Sequence, residues 1–208
     1  MAMLPFGDEL EARVRANLAA HARLDVPLED RRHAAVAVTL VADADGAPCF
    51  VLTRRAPRLR AHAGQWALPG GRVEPHETAV EGALRELVEE VGLAATPDHV
   101  LGCLDDYPTR SGYVITPVVI WARADARFAP NPAEVSSVHR VPLTVLEHPD
   151  VPHLRTIPES DRPVISIAMV ETHVHAPTAA IVYQLREVAL HGRPTRVDHF
   201  EQPVFAWR

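Results

Sequence analysis

Lysine is absent from this 208-residue chain, whose 21 basic residues are all arginine. Arginine's planar fork suits phosphate oxygens, yet a lysine-free chain also follows from genomic base composition, so the arginine count alone assigns no function. Cysteine is scarce: Cys49 and Cys103 are too few for a disulfide framework and lie in no CxxC spacing, and both are read as reduced, buried thiols. No apolar run approaches the roughly 20 residues of a membrane-spanning helix, and the first residues carry Asp8, Glu9 and Glu11 where an export signal would be basic and then apolar. The expectation is a cytoplasmic protein with no membrane partner. Positive charge is also in short supply: a formal charge of −6 argues against a nucleic-acid partner, which needs a dense basic surface.

What is present is an ordinary globular composition, 47% hydrophobic and 23% charged, at a length that supports one substantial domain. Asp8 to His21 carries Leu10, Val14 and Leu18 at amphipathic-helix spacing. Ala34 to Ala42 and Cys49 to Thr53 are β-favouring runs separated by the turn-rich Asp43 to Pro48, hence a hairpin. Arg54 to Gly71 is irregular and basic, and through Pro69-Gly70-Gly71 no regular element is expected. Val80, Ala83, Leu84, Leu87, Val88 and Val91 then recur at helical spacing, and Gly92 stops the helix. Val114 to Trp121 reads as a strand, Val138 to Val141 as the start of a shorter one, and Ala179 to Leu190 as a closing helix. His191 to Arg208 has no firm period. Strands and helices mixed without repeats predict one α/β (α+β) unit, with residues 1–33 as a helical extension, 34–190 as the main domain and 191–208 as a tail packed on it.

On the helix after Gly71, a step of about 100° per residue separates Leu84, Leu87 and Val91 from Arg85, Glu86 and Glu89, with Glu90 at the boundary. Glu86, Glu89 and Glu90 thus share one turn, and like charges so spaced weaken a helix unless something offsets them. Arg85 neutralises only part of that charge. The group reads either as a solvated acidic face or as a cluster of oxygen ligands for a hard divalent cation, Mg²⁺ or Mn²⁺.

Gly71, Glu77, Arg85, Glu86, Leu87, Glu89, Glu90, Gly92 and Leu93 match the Nudix box at each defining position, and here the chain resembles the Nudix superfamily. The resemblance implies an α/β/α sandwich around a mixed β-sheet and metal-dependent hydrolysis of a small-molecule diphosphate. It implies that Glu86, Glu89 and Glu90 hold the metals with the Gly71 carbonyl, and that Arg85 and Glu77 orient them. The general base in such enzymes is a box glutamate or one on a later loop, where Glu134 stands; the alternative for Glu134 is a surface residue ordering that loop.

Upstream, Leu52-Thr53-Arg54-Arg55-Ala56, then Arg60, His62, Gly64 and Gln65, then Pro69-Gly70-Gly71 resemble the coenzyme A diphosphatase branch. Val51 and Leu68 replace that branch's usual Leu and Phe, and the segment Val174 to Ala180 is similar to its entry into the last helix but lacks the Trp-Gly pair. The branch splits coenzyme A into adenosine 3',5'-bisphosphate and 4'-phosphopantetheine. For the substrate's phosphates Arg55, Arg58 and Arg60, with His62 and Gln65, are the available partners, foremost Arg55 and Arg60; the alternative is that these arginines brace the loop against the acidic box. ADP-ribose, a dinucleotide, a nucleoside triphosphate, or a fold kept only for ligand binding are competing readings. His173 and His175 alternate on a run that reads as a strand, which would point them the same way as metal ligands, but without a third ligand in view they read as exposed or hydrogen-bonded structural residues. A homodimer is left open.

Overall fold

The computed structural model describes residues 3–58, 63–123 and 125–206. Helix α1 (Asp8–Ala20) turns Leu10, Val14 and Leu18 inward, the stripe its spacing predicts. Strands β1 (Arg32–Ala42) and β2 (Pro48–Arg55) form the expected hairpin, paired from Leu40 with Phe50 to Ala42 with Pro48. Farther from the turn the two strands part. The gap is filled by β3 (Trp66–Ala67) on β2 and by β4 (Gly70–Arg72) on β1.

The presence of β4 corrects the expectation that Pro69-Gly70-Gly71 carries no regular element. Ladder pairing with Val36, Ala35 and Ala34 uses backbone groups and needs no alternation of side chains. A Cβ at residue 70 would overlap the Ala35 carbonyl and Val36, so only glycine permits this approach.

Helix α2 (Ala79–Val91) begins with a capping box, in which Thr78 and Glu81 satisfy each other's backbone N–H, and ends at Gly92 with φ 68°. Ala83, Leu84, Leu87 and Val91 are buried as predicted. Val88 is not: it is 47% exposed, because one step past Leu87 swings it about 100° off the core face.

Strands β5 (Val100–Cys103), β6 (Tyr107–Pro108) and β7 (Tyr113–Trp121) follow, then β8 (Val135–Pro142), which is longer than the Val138 to Val141 run predicted because it pairs with β2 along most of that strand's length. Among the described residues, eight strands make one mixed sheet in which β7 runs parallel to β1 and the other pairings are antiparallel. A second, antiparallel sheet of β9 (His153–Ile157), β10 (Ser160–Met169) and β11 (Thr172–His175) was not predicted. The closing helix α3 (Thr178–Gln184) widens into a π-type turn over Leu185–Leu190.

Period-two alternation divides the core. Ala35, Ala37, Val41, Cys49 and Val51 face α2, while Val38, Leu40, Phe50 and Leu52 face α1, β10 and α3. Covering both faces of the main sheet gives a three-layer α/β architecture. Cys49 is buried, Cys103 only partly so, and both are free thiols. No helix among the described residues is long and apolar enough to cross a membrane.

Candidate active site

The gap between β1 and β2 fixes where the box lies. β4 carries Gly70 and Gly71 into it, and α2 packs across β1 and β4, so the helix's last two turns stand beside the two glycines. Glu86, Glu89 and Glu90 occupy those turns, and the last turn holds no basic residue. Carboxylates there meet the negative end of the helix macrodipole. A segment that violates its own local preferences in this way is a place to look for function.

Arg85 is the hub. Its Nε and Nη2 donate to the two carboxylate oxygens of Glu77 at 2.9 and 3.1 Å, Nη1 donates to Glu86 at 2.9 Å and Glu89 at 3.0 Å, and Nη2 also reaches the Arg72 carbonyl at 2.9 Å. The hydrogen bonds from Arg85 hold the Glu77 carboxyl below its ordinary range, and Glu77 in turn raises the Arg85 pKa further. Glu86 behaves oppositely. Burial pushes its carboxyl up, against the pull of Arg85, and the charges of Glu89 and Glu134 add to the rise.

Glu90 is not at the boundary of the helix face but buried, 4% exposed, beneath the glycine loop. Its Oε2 accepts the Gly70 N–H at 3.0 Å and its Oε1 lies 3.5 Å from Arg55 Nη1. Burial pushes this carboxyl up to about 7, opposed by Gly70 and Arg55 and reinforced by Glu86 and Glu134. Glu89 points elsewhere, half exposed and tied to Arg85. Glu86 and Glu89 thus share Arg85 Nη1 while Glu90 is held apart by Gly70 and Arg55, and among the described residues no three acidic, histidine or cysteine groups are gathered closely enough to hold a metal ion as arranged.

Glu134, proposed from its loop position, does come to the box, near enough for its charge to disfavour ionisation of Glu86 and Glu90. Its loop is anchored by Asn131, whose N–H donates to the Glu90 carbonyl at 3.0 Å, and by Ala56, whose N–H donates to the Glu134 carbonyl at 2.8 Å. Arg55 lines a cleft with its Nε buried and unpaired, while Arg58 donates to the Pro132 carbonyl at 2.9 Å. Arg55 thus reaches Glu90 of the box, and Arg58 the loop before β8. Arg60 and His62 lie outside the described residues.

The cleft, about 450 Å³, runs from Arg55, Gln65, Gly70 and Gly71 past Trp66 and Tyr113 to β11 and the start of α3. Its far residues, including His173, His175, Gln202 and Phe205, are ones that sequence reading did not assign to a site. Gln202 and Phe205 lie in the segment without periodicity, where no spacing signal marks them, and the alternation of His173 and His175 reads in sequence as structural.

Two adjacent glycines give separable predictions. A methyl at Gly71 would overlap the Glu86 carboxylate, whose flexible end can move, so Gly71→Ala should fold normally and lose roughly ten- to a hundredfold in activity through the displaced glutamate. Gly70→Ala strikes backbone instead and should cost about 1–3 kcal/mol of stability. Thermal melts and turnover of both variants check this.

Comparison with known proteins agrees with this geometry. Residues 31–164 match the NUDIX domain family, and the chain belongs to that family. It is 41% identical over 112 residues to a protein of Yersinia enterocolitica named as an uncharacterized Nudix hydrolase, NudL, covering 53% of this chain and 56% of that one. A Yersinia pestis protein of the same name is 42% identical over 113 residues, covering 54% and 56%. The chain thus spans about half the length of these relatives. Among solved structures, a Nudix hydrolase from Nitrosomonas europaea superposes with TM-score 0.52 at 20% identity, covering 80% of this chain and 76% of that one. A MutT/nudix family protein from Enterococcus faecalis gives 0.50 at 16% identity, covering 82% and 64%. Both share the fold.

Proposed function

We propose that this chain hydrolyses the diphosphate of coenzyme A or an acyl-coenzyme A, with Mg²⁺ or Mn²⁺, to adenosine 3',5'-bisphosphate and 4'-phosphopantetheine. The observation that carries the reading is that Arg55, Gln65 and Gly70, from the upstream signature, and Gly71, which opens the box, line one cleft. Water adds to one phosphorus, the bridging P–O bond breaks, and a carboxylate takes the released proton.

Glu86, Glu89 and Glu90, with the Gly71 carbonyl, are the groups that would hold the cation. They fit it: the donors are all oxygens, and burial opposes the charge of Glu86 and Glu90, a cost that a nearby cation offsets. When bound, such a cation supplies charge screening for the diphosphate and activation of water. Arg85 and Glu77 orient the carboxylates. Glu134, whose charge is felt by Glu86 and Glu90 from the loop before β8, is the candidate general base. Arg55, Arg58 and Gln65, with Arg60 and His62 from the neighbouring segment, are the substrate-side groups.

A panel of coenzyme A, acyl-coenzyme A, ADP-ribose, dinucleotides and nucleoside triphosphates, with Mg²⁺ or Mn²⁺ and product identification, tests this. Coenzyme A compounds should turn over fastest, yielding the two named products. Fast cleavage of ADP-ribose beside little cleavage of coenzyme A would overturn the choice.

A further inference from the structure

The far wall of the cleft is made by residues outside the Nudix box. One part is β11 with the turn into α3, and the other is the segment that carries Gln202, Phe205 and Ala206. One buried carboxylate pins the second part. Glu201, 2% exposed, accepts from Arg110 Nη2 at 2.6 Å, Arg110 Nε at 2.9 Å and Ser160 Oγ at 2.8 Å, and its own N–H donates to the Pro163 carbonyl at 2.8 Å. The Gln202 side chain accepts the Arg110 N–H at 2.9 Å, and Tyr107 Oη donates to the Phe200 carbonyl at 2.9 Å.

Held in this way, the segment presents a large aromatic that the fold does not use. Phe205 is 59% exposed, its ring edge-on to His175 with centroids 5.6 Å apart. His175 lines the same cleft, and its Nδ1 is buried without a hydrogen-bond partner. Buried polar atoms are nearly always paired, so an unpaired one on a residue of the cleft wall sets His175 apart from the structural residues around it.

Charge along the cleft is uneven. Among its described lining residues the permanent cations are Arg55 and Arg72, both next to or within the strand that carries Gly70 and Gly71. The far end is Val174, Ala176, Ile181, Phe205 and Ala206 with neutral polar groups among them. Burial, together with the charges of Arg155 and His173, also disfavours a proton on His175. An apolar end with one unpaired imidazole nitrogen suits an uncharged chain bearing amides better than a nucleoside that carries a further phosphate.

We propose that Phe205, Ala206 and His175 form the specificity wall that takes the uncharged, amide-bearing arm of the substrate, while the phosphorylated nucleoside stays on the arginine side. This rests on the reading that the chain cleaves a coenzyme A-type diphosphate, and the test separates the two. Binding of 4'-phosphopantetheine and of adenosine 3',5'-bisphosphate is measured by calorimetry for the full chain, for Phe205→Ala at an exposed position, and for Ala206→Trp at a buried lining position, with a melting curve confirming that each variant folds.

Each variant should weaken 4'-phosphopantetheine by roughly tenfold or more, the loss expected when an aromatic anchor is removed or its site is filled, and leave adenosine 3',5'-bisphosphate within about twofold. Selective loss of the nucleotide half would show that the wall takes the nucleoside instead. Unchanged affinity for 4'-phosphopantetheine, or none in the parent protein, would overturn the wall whatever the enzyme cleaves. Failure of the parent to cleave coenzyme A would refute the substrate reading and is scored separately.

Discussion

Glu90→Gln lowers turnover by about a thousandfold, in the range lost when an essential carboxylate is removed, and leaves the melting temperature within about 3 °C of the parent. The two halves of this result have one cause. Glu90 is a carboxylate held 4% exposed beneath the glycine loop, where burial, outweighing the pull of Gly70 and Arg55, pushes its pKa to about 7. Glutamine keeps an oxygen to accept the Gly70 N–H and removes the buried charge, so the fold loses little. Arg55 gives up a partner 3.5 Å away but keeps contact with water. Chemistry is another matter, because a neutral amide is a poor ligand for a hard cation. Glu86→Gln should behave in the same way. Turnover and thermal melts of the two variants, side by side, check both halves.

Arg85→Ala is expected to damage fold and activity together, which distinguishes it from the glutamate variants. Arg85 donates to Glu77, Glu86 and Glu89 and to the Arg72 carbonyl. Its side chain is 24% exposed, while those of Glu77 and Glu86 are only 14% and 13% exposed. Removing it leaves two poorly hydrated carboxylates, one before the start of α2 and one on it, without their shared cation, at a cost of about 2–3 kcal/mol, somewhat less than breaking a fully buried pair. That loss lowers the melting temperature by roughly 4–12 °C. Arg85→Lys should rescue only part of it, since an ammonium is a single point charge and cannot span three carboxylates with a planar fork. Melting curves and turnover of the alanine and lysine variants decide it.

The parts of the molecule that could be read from sequence were those that depend on local periodicity. α2 follows from a 3.6-residue stripe closed by Gly92, and the β1–β2 hairpin from two apolar runs about a turn. Thr78 and Glu81 carried a capping signal at the right spacing that was passed over. The rest was hidden for physical reasons. β4 is specified by the close approach of glycine backbone to Val36, which leaves no side-chain pattern. β9 reads as polar because nearly all of it is exposed, so it has no apolar alternation to find.

The candidate site divides in the same way. Residue types in the box pointed to Arg85 and the glutamates, yet a helical wheel places Glu90 only at a boundary, since it carries no knowledge of the loop that covers it. Glu134 stood out through its loop, whereas the contacts of Arg55 with Glu90 and of Arg58 with the Pro132 carbonyl join positions far apart in sequence. The segment bearing Phe205 is fixed by Glu201 and Arg110, a tertiary clamp with no periodic trace.

The account rests on the glutamates of α2 acting as oxygen ligands for a divalent cation beside the cleft. Titration of Mn²⁺ into the protein, followed by electron paramagnetic resonance, measures this directly. Saturable binding in the parent that is lost or strongly weakened in both Glu86→Gln and Glu90→Gln, each still folded, is the predicted result; equal Mn²⁺ binding by parent and variants would contradict it.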